Sequence, residues 1–213
     1  MSAPSYRRQK GSSIVELVTV AAIMLTLSAM AIINGTRPSQ GATANAAADV
    51  VVDALHQARQ LAIAKRRNVV VTFTGTNTVG MAVQPLPTDP IPTALQSVQL
   101  NSGAKGGLQF YLTPGLPNTP MGPLGFGNAS AIDLEPVNGG AVGSAIMFTS
   151  TGSLVGAAGA AAANYYAVGN NNPINATIYI GLPGTATMSR AITVVGATGR
   201  VRAYYWTGNS WQQ

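Results

Sequence analysis

The chain has no cysteine and one histidine in 213 residues, and only 8% of it is charged. Without cysteine there is no disulfide framework, no thiolate metal site and no cysteine nucleophile. One histidine, His56, excludes the multi-histidine sites of zinc enzymes. The low charge argues against a disordered acidic or basic tail. Acids are scarce as well: six in total, and none from Pro136 to Gln213. No Walker loop, dinucleotide fingerprint or H-E-x-x-H pattern occurs. Catalysis needs placed acids, bases or nucleophiles, so the expectation is a non-enzyme with no metal and no cofactor. What the chain does have is small and turn-forming residues. Its 24 Gly and 13 Pro are aperiodic, which predicts turns and long loops, not a collagen repeat.

The net charge of +6 is concentrated at one end. Arg7, Arg8 and Lys10 supply half of it, and the remaining nine basic residues face six acidic ones. That residue balance is ordinary for one domain, so charge alone is weak ground for nucleic-acid binding.

The basic stretch ends at Gly11 and an apolar run follows. Leu17–Thr36 is 20 residues without a charge, enough for a helix of about 30 Å, the thickness of a bilayer core. The flanking basic residues predict a cytoplasmic N-terminus and an external remainder. Glu16 does not suit a simple anchor. A carboxylate at that depth costs about 3 kcal/mol on insertion scales unless it is paired. A cut after Gly11 would create an α-amino group on Ser12, four residues before Glu16. Two such helices packed with an axial offset would place the amine of one against the carboxylate of the other. A secretory signal cleaved after Ala29-Met30-Ala31 would put Glu16 in the apolar region, where acids are disfavoured. A plain single-span anchor gives no reason for Glu16.

Lys10-Gly11 followed by Ser12-Ser13-Ile14-Val15-Glu16-Leu17-Val18 resembles the class III signal of type IV pilins and type II secretion pseudopilins: a basic leader ending in Gly, then an apolar helix with Glu at the fifth mature position. The resemblance implies cleavage between Gly11 and Ser12 by a prepilin peptidase and N-methylation of Ser12. Ser12 departs from the Phe or Met usual at the first mature position.

Gly35 and Pro38 interrupt the helical pattern. It resumes with Ala47, Val51, Ala54, Leu55, Ala58, Leu61 and Ala62 at spacings of three and four, one apolar stripe. Asp49, Asp53, His56, Gln57 and Gln60 fall mostly off it. Lys65, Arg66 and Arg67 close the helix, where cations suit the dipole. His56 reads as a solvated residue. The segment Ala54–Ile63, with Ala58-Arg59 and a following basic pair, resembles the GspH/FimT branch of the pilin-like proteins.

After Asn68 the period changes to that of strands. Val69–Phe73, a turn at Gly75-Thr76-Asn77 and Val79–Val83 predict a hairpin. Further strand candidates are Ser97–Leu100, Leu108–Leu112, Ala145–Phe148, Tyr165–Val168, Thr177–Ile180, Ala191–Val195 and Val201–Trp206. Pro85–Pro92 reads as a loop, residues 113–143 as a long Gly/Pro-rich insertion, and Gly156–Ala163 as a low-complexity segment, loop or helix. The expected fold is α+β: a long N-terminal spine helix, transmembrane in its first half, packed on an antiparallel sheet or sandwich head. The expected divisions are a leader at 1–11, a membrane part at 12–36, an amphipathic part at 37–67 and a periplasmic head at 68–213. Ile146-Met147-Phe148 with Thr151-Gly152, and Arg190–Val195 with Gly199-Arg200-Val201-Arg202, resemble the same branch.

Two groups in the head invite a chemical reading. Asp133 and Glu135 sit two apart. In a strand both would share one face, a cation site or half an acid–base pair; a solvated loop beside Pro136 is the plainer reading. Arg200, Arg202, Tyr204 and Trp206 share one face of the last strand, a stripe that can hold phosphates and stack bases. Gly199-Arg200-Val201-Arg202 also resembles the GRxR motif of FimT-type minor pilins that capture DNA. The plainer reading is an ordinary edge strand, with arginines on the wet side and aromatics over the core or an intersubunit contact.

The resemblance as a whole implies a minor pseudopilin of a type II secretion pseudopilus. It would be held in the bacterial inner membrane with its head in the periplasm, and its partners would be prepilin peptidase, other pseudopilins or pilins, and exported protein cargo. Glu16 would serve assembly. The alternative is a minor type IV pilin that binds DNA through Arg200 and Arg202, with Arg190 a further candidate for DNA binding.

Overall fold

A computed structural model describes residues 14–35, 38–84, 93–100, 107–137, 145–157 and 173–213. The chain divides into two units at residue 40. The first contributes helix α1, Ile14–Gly35. Helix α2, Pro38–Lys65, runs into the second. Gly11 and Ser12 lie outside the described residues.

The stripe predicted on α2 is its buried face. Ala47, Val51, Ala54, Leu55, Ala58 and Ala62 are buried, joined by Ala44 and Ala48, while Leu61 is half-buried. Asp49, Asp53, His56, Gln57 and Gln60 lie off it, and His56 is exposed. The helix ends in a left-handed Arg66 (φ 51°). Arg66 N–H donates to the Ile63 carbonyl at 3.2 Å and Arg67 N–H to that of Ala62 at 3.1 Å. This is a Schellman closure with Arg where Gly is usual. The Arg67 guanidinium bonds the Gln84 carbonyl, tying the helix end to the first hairpin.

That hairpin is β1, Val69–Thr74, and β2, Thr78–Val83, in register from Val69↔Val83 to Thr74↔Thr78. It belongs to a five-stranded sheet with β3 (Thr93–Gln99), β6 (Ala145–Phe148) and β7 (Leu154–Ala157), ordered β3-β2-β1-β6-β7. A second sheet runs β11-β10-β9-β8-β4, with β5 also paired to β8. Its strands are β4 (Gln109–Phe110), β5 (Ile132–Pro136), β8 (Ile174–Leu182), β9 (Thr185–Val195), β10 (Arg200–Trp206) and β11 (Trp211–Gln212). Every pairing described is antiparallel, as expected. The sheets meet where Leu154 N–H reaches the Gly196 carbonyl at 2.8 Å and Val155 bridges Pro173.

One apolar core joins the α2 stripe to one face of each sheet. Val69, Val71, Val79, Met81, Val83, Ile146 and Phe148 come from the first sheet, and Ala176, Ile178, Ile180, Ile192 and Val194 from the second. The alternation of β8 explains the division: Ile174, Ala176, Ile178 and Ile180 point into this core, and Asn175, Thr177 and Tyr179 point out the other side.

Three expectations need correction. Residues 113–143 are not one loop, because β5 lies within them and pairs along β8 from Ile132↔Ile178 to Pro136↔Ile174. Its Pro at the last position hid the strand. Gly156 and Ala157 are strand, pairing with Ile146 and Ala145; the rest of the low-complexity run, like the Tyr165–Val168 candidate, lies outside the described residues. Strands β7 and β11 were not anticipated. The first is a four-residue run that ends in Gly156-Ala157, a pair with little strand preference, and the second has only two residues.

Leu55 has no exposed surface. Leu55→Ala is expected to lower head stability by about 2–5 kcal/mol, and His56→Ala to change it by less than about 0.5 kcal/mol, both read from urea denaturation midpoints.

Candidate functional site

Of α1, side chains are described for residues 14–28. They are exposed on all sides: Ile14, Val15, Leu17, Val18, Val20, Ile23, Met24, Leu25 and Leu27 among them. The hydroxyls turn back on the helix. Thr19 donates to the Glu16 carbonyl (2.9 Å), Thr26 to Ile23 (2.8 Å) and Ser28 to Met24 (2.7 Å), which leaves few polar groups on an apolar surface. Glu16 is the one carboxylate, exposed, in the first turn, where the helix dipole favours a negative charge. Among the described residues no helix is long and apolar enough to cross a membrane.

In the head, three segments singled out separately in the sequence come together. Arg59 on α2 donates from Nε to the Gly152 carbonyl at 3.1 Å. Gly152 (φ 84°) lies in the β6–β7 turn and Gly199 (φ 62°) in the β9–β10 turn. A Cβ on Gly199 would collide with the Gly152 carbonyl and lie 2.7 Å from Arg59 Nε; one on Gly152 would lie 2.9 Å from Ile63 Cδ1. Both turns need a left-handed residue without a side chain. The glycine of the Gly199–Arg202 tetrapeptide therefore has a packing reason independent of any ligand.

The three candidate arginines do not form one patch. Register places Arg190 opposite Ile180 and Tyr205, on the core side of the second sheet. It is only 6% exposed. Its Nε donates to Asn45 Oδ1 (2.7 Å), Nη1 to the carbonyls of Thr187 (3.1 Å) and Ser189 (2.9 Å), and Nη2 to that of Gly41 (3.3 Å). Burial lowers its pKa, with Tyr205 acting the other way. Arg190 thus fastens the start of α2 to β9. Arg200 and Arg202 lie on the other face, paired with Val195 and Thr193. Arg200 is exposed; Arg202 is half-buried, its Nη1 3.7 Å from Met121 Sδ.

The aromatic half of the expected stripe is covered. Tyr204 and Trp206 are buried with Tyr179, Trp211, Ala191, Met121 and Phe126 in a second cluster. Trp206 meets Trp211 edge-on at 5.4 Å between centroids, and Trp211 Nε1 donates to the Pro117 carbonyl at 2.8 Å. The wet-side reading holds for Arg200, and the aromatics cover a core. Missed from the sequence was the cover itself, because nothing local in residues 112–130 shows which sheet face they lie on.

Asp133 and Glu135 share a face of β5, not a solvated loop. Asp133 is buried and accepts the Ala129 N–H at 2.6 Å. Both carboxylates converge on Gly127, where a Cβ would strike Asp133 and lie 2.8 Å from Glu135 Oε1. The Tyr179 hydroxyl donates to the Gly127 carbonyl at 3.0 Å, and burial, then Asp133, push its pKa well above the usual phenol range. The pair thus closes on the backbone at Gly127. Among the described residues no group of three or more acidic, histidine or cysteine side chains is placed to hold a metal.

No protein-family model and no curated protein matches the sequence. Among solved structures, the chain is similar to the minor pseudopilin EpsH of the Vibrio cholerae type 2 secretion system, at 14% identity over 76% of this chain and 96% of that one, with a TM-score of 0.43. It is also similar to the Pseudomonas aeruginosa type IV minor pilin FimU, at 14% identity over 79% and 92%, with a TM-score of 0.41. These overlaps are distant, and what the chain does has to come from its own residues.

Arg190→Gln is expected to cost about 3 kcal/mol, because it removes a buried guanidinium with four hydrogen bonds and strands the buried Ser189 carbonyl, while Arg200→Gln stays within about 0.5 kcal/mol; urea denaturation of the two variants side by side checks this.

Proposed function

We propose that the chain is a pilin-type structural subunit, a minor pseudopilin of the GspH/FimT kind, and not an enzyme. The observation that carries this reading is residues 14–28 of α1: an apolar surface on every side, hydroxyls folded back on carbonyls three or four residues earlier, and a single carboxylate in the first turn. An exposed apolar helix with its polar groups satisfied internally suits lipid, and equally suits the crowded centre of a filament. Residues 12–36 span the inner membrane, with the basic leader cytoplasmic and the head periplasmic. Prepilin peptidase removes residues 1–11, Ser12 becomes the methylated N-terminus, and its amine neutralises Glu16 of a neighbouring subunit in a short filament. Other pseudopilins or pilins are the partners, and the head contacts them or the exported cargo.

The DNA-uptake alternative draws support from one feature, the exposed Arg200 at the head of a hairpin in a stretch without carboxylates. Arg202 would join it only in part.

Three measurements test these readings. Gly11→Ala is expected to leave the full-length mass unchanged in cells that process the wild type; a mature mass identical to wild type refutes the cleavage site. Glu16→Ala is expected to leave the head folded and to reduce co-assembly with partner pilins about tenfold or more, the effect of losing some ~1.4 kcal/mol of pairing. Incorporation at the wild-type level would remove Glu16 from the assembly contact. In a mobility-shift assay across salt concentrations, no DNA binding at low salt is expected; salt-sensitive binding lost in Arg200→Gln/Arg202→Gln would favour uptake instead.

A further inference from the structure

Residues 112–130 form a compact loop whose two ends meet at one residue of β8. Tyr111 N–H donates to the Tyr179 carbonyl at 3.0 Å, and Tyr179 N–H donates to the Ala131 carbonyl at 2.7 Å. Between these points the only regular structure is a single 3-10 turn, Gly122–Leu124. The loop lies over the outer face of the second sheet, with Met121 and Phe126 against Tyr179, Tyr204, Trp206 and Trp211.

The floor beneath it is unusual. Register runs Asp133↔Thr177↔Thr193↔Arg202 across four strands on that face. Thr177 and Thr193 have no exposed surface. Among the described residues, the buried side-chain polar atoms with no hydrogen-bond partner are Thr177 Oγ1, Thr193 Oγ1, Arg202 Nε and Thr119 Oγ1. Three are adjacent in this one row. The fourth belongs to the loop, two residues before Met121, whose sulfur contacts Arg202. Buried polar groups without partners carry an uncompensated desolvation cost. Here that cost is concentrated under one loop, and water would relieve all of it if the loop rose.

What holds the loop down is side-chain contact with the strands beneath it, not strand pairing. The direct ties are all to side chains: Trp211 Nε1 to the Pro117 carbonyl, the Tyr179 hydroxyl to that of Gly127, Asn175 Nδ2 to those of Leu124 (3.1 Å) and Gly125 (3.3 Å), Ala129 N–H to Asp133 Oδ2 (2.6 Å), the Thr113 and Ser189 hydroxyls to each other (2.7 Å), and Arg202 Nη1 to Met121 Sδ (3.7 Å), besides the apolar cluster. None belongs to the β8–β9 or β9–β10 ladder. Both ends of the loop are pinned on Tyr179, so it can swing without unpairing the strands it covers.

We propose that residues 112–130 are a cover that lifts as a unit from the second sheet and exposes Arg202, Tyr204 and Trp206 while both sheets stay paired. Opening and closing is a built-in equilibrium between a buried and a presented basic–aromatic face. It stands apart from the assembly role of α1, and neither depends on the other.

Hydrogen exchange on the full chain in detergent micelles, read by mass spectrometry, tests it. Amides of 112–130 are expected to exchange about tenfold or more faster than those of β8 and β9, a sub-global opening. Thr177→Val/Thr193→Val removes the unpaired hydroxyls at nearly constant shape, and is expected to slow exchange in the cover about tenfold. Trp211→Phe removes the tie to Pro117 and is expected to speed exchange there without moving β8 or β9. A cover that exchanges in step with β8 and β9 overturns the proposal. So does a double valine variant that exchanges at the wild-type rate or faster, or that fails to fold, since the hydroxyls would then be partnered. An unchanged cover in Trp211→Phe counts against it equally.

Discussion

Arg59 sits where three backbone segments meet: α2, the turn at Gly152 and the turn at Gly199. One turn closes a hairpin of the first sheet and the other a hairpin of the second. A single side chain on the helix therefore bonds the turn of one sheet and packs beside the turn of the other. Arg190 does the complementary work from the sheet, reaching back to Asn45 and Gly41 near the other end of the head-bound helix. Between these two clamps lies a stripe built largely of alanine, which lets the helix approach closely and leaves little room for error. Each guanidinium bonds neutral acceptors, so the clamps work by directed hydrogen bonds more than by charge pairing.

The second sheet then has two faces with different tasks. Its inner face is aliphatic and completes the core with α2. Its outer face carries threonines, an arginine and aromatics beneath a loop with almost no regular structure. Such a surface is costly to bury and simple to hydrate, which is why a lifting cover belongs there and not on the inner side. The first sheet, with Val69, Val71, Ile146 and Phe148 turned into the common core, carries no comparable burden among its described residues.

The described part of helix α1 obeys a different solvent logic from the described residues after 40. In the head, apolar side chains face inward and polar ones mostly outward. On α1 the described apolar side chains face outward, and the hydroxyls find partners along the helix itself. That inversion suits the lipid or helix-packed surrounding proposed for α1, in which Glu16 is the charge that the proposed pairing would answer.

Much of this was legible in the residues. The α2 stripe, the β1–β2 hairpin, the strands near 145, 177, 191 and 201, and the apolar run with its lone carboxylate all follow from local periodicity, because period 3.6 or 2 is written directly into neighbouring positions. The role of the three arginines was not. Alternation put Arg200 and Arg202 on one face, but only strand pairing showed that Arg190 turns to the other and into α2. Nor could spacing reveal that Ala58-Arg59, Thr151-Gly152 and Gly199-Arg200 are parts of one contact, since their meeting depends on how helix and turns approach in space. β5 was hidden by its closing proline and its acids, and is a strand because β8 offers it an edge. Local pattern determined which segments are helix or strand and which face of each is apolar; contact between distant segments alone decided which arginine is structural, which is wet, and which lies under a cover.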